Sequence, residues 1–96
     1  MKPHPQFKFV LYVVNGTPNS SKALANLHGF CQTHLSGQHE IEVVDVLKDP
    51  QRALADAVFM TPMLIRLAPS PTRRIVGTLS ETQPLMDALG LETVAA

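Results

Sequence analysis

Residues 7–35 read FKFVLYVVNGTPNSSKALANLHGFCQTHL. Phe7 and Phe9 through Val14 are aromatic, β-branched or bulky apolar, interrupted by Lys8 alone. Such a run predicts a strand covered on both faces, as in a parallel sheet. Asn15-Gly16 is a turn dipeptide with backbone freedom. Thr17 is positioned to N-cap a helix with its hydroxyl, and Pro18 suits the first helical position, where no N–H is needed. The expectation is a strand over 7–14, a sharp turn and a helix over 18–35, with free N–H groups at the sheet end. In open α/β sheets, ligands and partners usually dock at that corner.

On a helical wheel, Ala23, Leu24, Leu27, Phe30, Cys31, His34 and Leu35 fall in one arc, and Lys22 lies outside it. Ser36-Gly37 ends the helix. A second strand is expected over 40–47, where Ile41, Val43, Val44, Val46 and Leu47 follow a mixed start. Strand, helix and strand within some forty residues imply a right-handed βαβ unit. Asp49 caps a short helix opened by Pro50 and running to Ala55. A third strand covers 63–67, with Pro62 at its head, where no ladder donor is required. Pro69-Ser70-Pro71 makes a turn, and 73–76 form a fourth strand antiparallel to the third. Ser80 with Gln83 matches a capping box, although Pro84 also permits a start at Thr82. Leu85, Met86 and Leu89 give the last helix its apolar face. Gly90-Leu91 ends it in a Schellman turn.

The 96 residues carry 8 basic and 8 acidic side chains. That balance gives no global field for nucleic acid or membrane. They read as one domain over 1–96 with frayed ends at 1–6 and 93–96. No signal peptide or apolar run of membrane length is recognisable. Cys31 stands alone, which excludes an internal disulfide, a CxxC pair and a thiolate zinc cluster, and fits a reducing, cytoplasmic setting. The four histidines lack metal-ligand spacing. No Ser-His-Asp set, paired acids or phosphate loop is present. Catalytic residues, metal and cofactor are therefore all expected to be none.

The order β-α-β-α-β-β-α, an α/β arrangement on a mixed four-stranded sheet, resembles thioredoxin-like proteins. In that class the helix-one corner carries CxxC and faces a cis-proline. Here the corner reads Thr17-Pro18-Asn19-Ser20, so dithiol exchange is chemically unavailable. Cys31 lies about 20 Å further along the helix at 1.5 Å per residue. By resemblance, Thr61-Pro62 matches the cis-proline.

A set of motifs in order is more specific. Leu11-Tyr12-Val13, Gly16-Thr17-Pro18-Asn19-Ser20, Ala23-Leu24, Asp45-Val46-Leu47-Lys48, Asp49-Pro50-Gln51, Thr61-Pro62, Pro69 with Pro71, Arg73-Arg74-Ile75 and Gly77 with Leu79-Ser80 resemble the KaiB family of circadian-clock proteins. The resemblance implies a non-enzymatic protein that docks on the ring-forming ATPase KaiC, and a histidine kinase with a related domain as competitor. It also implies fold switching, in which the C-terminal half re-pairs in a tetrameric alternate form. Partner binding would fall to Thr17, Asn19, Lys22, Arg66, Arg73 and Arg74, and the structural roles to Pro62 and Gly77.

Two departures bear on function. The second strand opens Glu40-Ile41-Glu42, and Ala57 stands where the family has a lysine, so positive charge is missing from surfaces that would meet KaiC. This favours a stress-response role beside a KaiC homologue over a full clock. The tail from Pro84 to Gly90 holds good helix formers and few β-branched residues, which favours the thioredoxin-like state and a monomer or dimer. The rival readings are a stand-alone sensory domain related to clock-output histidine kinases, and a degenerate, redox-inactive thioredoxin or glutaredoxin relative.

Overall fold

The computed structural model describes residues 6–90. It contains β1 (Phe7–Val13), α1 (Pro18–His34), β2 (His39–Asp45), α2 (Pro50–Ala55), β3 (Met63–Ala68), β4 (Arg73–Val76) and α3 (Thr82–Leu89). The expected frayed ends lie, residue 6 apart, outside the described residues. So does Leu91, the expected partner of the last helix cap.

The sheet order is β2-β1-β3-β4. β1 runs parallel to β2 and antiparallel to β3, and β3 runs antiparallel to β4. The sheet is therefore mixed, with β1 inside it. Leu11 and Tyr12 are 0% exposed, as the unbroken apolar run requires. Alternation along β1 feeds two cores. Phe7, Phe9, Leu11 and Val13 pack with α1 and α3 through Leu27, Phe30, Cys31, Leu85 and Leu89. Val10 and Tyr12 pack on the opposite face with Val44, Ala53, Val58, Met63 and Ile65.

β2 is an edge strand. Val44 is its one buried side chain, and Val43 is 43% exposed. Its apolar composition reflects cover from one side at a time rather than full burial. His34 was expected in the apolar arc of α1 but is exposed, with its ring tilted against that of Phe30 at 4.6 Å. Leu35, the next residue, is buried in the core, so His34 falls just outside the covered arc of the helix. The chain then returns through His39, whose Nδ1 bonds the Leu35 carbonyl at 2.9 Å.

Two caps differ from expectation. Thr17 sits at the N-cap, but its hydroxyl donates backward to the Val14 carbonyl at 2.7 Å and makes no cap bond. The tight turn through Gly16, at φ +86, brings that carbonyl within reach first. The capping box of Ser80 and Gln83 does not form. α3 starts at Thr82 with Glu81 as an N-cap lacking a side-chain bond, and Gln83 donates to Asp87 instead. Asp49 does cap α2, accepting from the Arg52 amide. Gly90 closes α3 at φ +72, a backbone conformation that costs glycine little.

Leu11→Ala should lower the unfolding free energy by about 2–5 kcal/mol, the usual cost of truncating a fully buried leucine. The urea midpoint should fall at unchanged slope.

Candidate functional site

The C-terminal end of β1 gathers most of the positions that the sequence marks. The corner Asn15–Ser20 and the first turn of α1 lie there. Because Tyr12 is the register partner of Met63, and Met63 that of Val76, the start of β3 and the end of β4 lie at the same end. The Thr61-Pro62 bond is cis, and the Gly77 amide donates to the Pro62 carbonyl at 3.0 Å. Thr17, Asn19, Lys22, Pro62 and Gly77 therefore share one rim of the sheet.

The corner itself cannot react. Ser20 is buried, and its Oγ accepts the Val14 amide at 3.0 Å. The Thr17 hydroxyl is spent on Val14. With both side chains turned inward, they are committed to shaping the turn rather than to holding an anion at the helix start. Asn19 and Lys22 are exposed. Cys31 is fully buried, and burial pushes its thiol up to about 11. At neutral pH it remains a thiol, the unreactive form.

The basic candidates part company. Arg66 was expected to meet a partner, yet it is 5% exposed. One guanidinium N–H donates to the Leu89 carbonyl and another to the Pro71 carbonyl at 2.7 Å. β3 alternation turns Arg66 toward α3, and the end of that helix covers it. Arg74 is exposed but bound. It donates to the carbonyls of Asp56 and Ala57 at the end of α2, where a helix presents partial negative charge. Arg73 is exposed beside Arg66 in the β3–β4 ladder, several residues below the rim on the α3 face. Lys22 lies on this rim, while Arg73 and Arg74 lie away from it and on opposite faces.

Sequence reasoning missed how the loop into Pro62 is displayed. The Tyr12 hydroxyl donates to the Asp56 carboxylate, and burial together with that carboxylate pushes the phenol up to about 12. Arg74 grips the same turn, and Ala57 is held at φ +55. Val58 then dives into the core. Phe59 and Met60 are left 79% and 63% exposed. The available signal was their place between the short helix and Pro62, where a strand could not yet have begun. The acidic opening of β2 is partly neutralised within the chain. Glu42 meets Arg52 through two bonds of 2.6 Å, and the guanidinium holds its carboxyl below the usual range. Asp45 accepts the Leu47 amide and so shapes the turn after β2. Among the described residues, no His, Cys, Asp and Glu group could hold a metal ion, and no helix is long and apolar enough to cross a membrane.

A thioredoxin-like scaffold with hydroxyl groups at its redox corner defines the class. Solved structures agree on the scaffold. Mitochondrial thioredoxin 3 of Saccharomyces cerevisiae superposes with a TM-score of 0.71 at 13% identity, over 91% of this chain and 80% of its own. The N-terminal domain of Synechococcus elongatus SasA gives 0.73 at 17% identity, over 97% and 91%. The family profile of the KaiB domain matches residues 10–91. The circadian clock oscillator protein KaiB of Prochlorococcus marinus is 41% identical over 95% of this chain and 78% of its own. The circadian clock protein KaiB3 of Synechocystis is 39% identical over 88% and 80%. The chain belongs to the KaiB family, whose members are non-enzymatic clock proteins.

Tyr12→Phe should cost about 1.5–3 kcal/mol in urea unfolding, because the Asp56 carboxylate loses its donor at the core edge. Cys31 should ignore a disulfide reagent at pH 8 in the native protein and react fully in denaturant, as thiol titration will show.

Proposed function

We propose that this chain is an adaptor that docks on a KaiC-type ring ATPase through the rim at the C-terminal end of β1, in the thioredoxin-like state and as a monomer or dimer. The observation that carries this reading is the display of Phe59 and Met60 beside an inert corner with Lys22 at its edge. Large apolar side chains held out by a tethered loop suit the anchors of an interface, and a flanking cation suits its polar rim. Asn19 and Thr17 complete the corner. Arg74 supports the loop from behind, and Arg73 adds charge to the β4 edge. The role that fits the acidic β2 and Ala57 is regulation beside a KaiC homologue, in a stress response or a clock-like process.

The alternative is a stand-alone sensory domain of the histidine-kinase type. Identity of 38–41% to KaiB proteins, against 17% to the SasA domain, favours the first reading.

Titration calorimetry with a purified KaiC homologue and ATP tests it. Phe59→Ala should weaken binding at least about tenfold, and Lys22→Glu about threefold to tenfold with a stronger effect at low salt. Both variants should keep the native circular dichroism spectrum. Unchanged affinity in Phe59→Ala would place the interface elsewhere.

A further inference from the structure

β4 is the sheet edge opposite β2. In an antiparallel ladder, hydrogen-bonded and non-bonded pairs alternate. The Gly77 amide donates to the Pro62 carbonyl at 3.0 Å, which makes Gly77 and Pro62 a bonded pair. By the register, Ile75 with Leu64 and Arg73 with Arg66 are bonded pairs too. Arg74 and Val76 therefore turn their backbone N–H and C=O groups away from the sheet. Among the described residues, no turn or loop supplies a backbone partner for them. Such an edge is a template for one more strand.

Side chains on the α3 face of this edge define what that strand would carry. Arg73 is exposed, and among the described residues it forms no ion pair. Its ladder partner is Arg66, a second cation. Two residues on, about 7 Å along a strand, Ile75 lines a cleft of about 200 Å³ with Leu79, Pro84 and Leu85. Val76 also lines it and is 47% exposed. Glu81 lines the same cleft, which disfavours an acid there. An incoming strand presents residues i and i+2 on one face at the same spacing. An acid beside Arg73 and an aliphatic side chain in the cleft satisfy both positions. A second copy of β4 does not, because β4 holds two arginines and no acid and would add like charge.

We propose that the β4 edge binds, as an added strand, an extended peptide segment of a partner protein with an acid-x-aliphatic pattern. The site stands independently of the ATPase reading, since it uses neither Phe59 nor Lys22. Fluorescence anisotropy of the full chain with a labelled peptide repeating Glu-Thr-Val-Thr tests this, with no ATPase present. The peptide should bind, and its counterpart with Lys in place of Glu should not. Methylating one alternate set of peptide amides should weaken binding at least about tenfold, and methylating the other set should leave it unchanged. Arg73→Glu should weaken it about threefold to tenfold, more at low salt. Amide chemical shifts should move at residues 72–77 and 79–82. No binding at millimolar peptide, unchanged affinity in Arg73→Glu, equal response to both methylations, or shifts confined to 39–45 on the β2 edge would overturn the proposal. So would β4 shifts that follow the chain's own concentration, which would mark a second copy as the occupant. If Arg73→Glu does not fold, the two methylated peptides decide, since they leave the protein untouched.

Discussion

A strand that cannot face water on either side governs this molecule. From Phe9 to Val13 every side chain of β1 is buried, so cover is needed above and below. α1 and α3 supply one cover, and α2 with the segment around Val58 supplies the other. Each cover must then be fixed at its end. Two arginines from the β3–β4 hairpin do this on opposite faces. Arg66 holds the last carbonyl of α3, and Arg74 holds the carbonyls of Asp56 and Ala57 just after α2. The hairpin thus contributes less as sheet than as a source of cations for two helix ends.

The same constraint shapes the rim. β1 stops at a turn because Gly16 permits it, and Ser20 and Thr17 seal that turn with bonds to Val14. Hydroxyl groups occupy positions where a redox relative needs thiols, and they are used up structurally. What is left for a partner is surface: Asn19, Lys22, and the loop that Tyr12 and Arg74 pull taut so that Phe59 and Met60 stand out. Tyr12 connects the two themes, its ring in the core and its hydroxyl on the loop.

Much of this was legible from residues alone. The β1 run, Pro18, the Asp49-Pro50 pair and Gly90 place the elements, since each signal acts within a few residues. Side chains that act across the fold were not legible. Arg66 read as a docking cation because nothing local shows that α3 will end over it. Phe59 and Met60 were not singled out, because composition does not reveal a loop tied down by Tyr12, 44 residues from its partner. The strand-two apolar residues could not announce that β2 would be an edge, which is a property of topology. The motifs shared with KaiB proteins marked the family correctly but did not rank its site residues, because sharing a residue type does not fix what that residue touches.

The central claim is that an inert corner and a tethered apolar loop together form a protein-docking rim. Chemical-shift mapping tests it most directly, with the isotope-labelled chain titrated by a KaiC homologue and ATP. The account predicts perturbations concentrated at residues 15–22, 58–62 and 77. Perturbations confined to 39–45 on the β2 edge, or none at saturating partner, would contradict it.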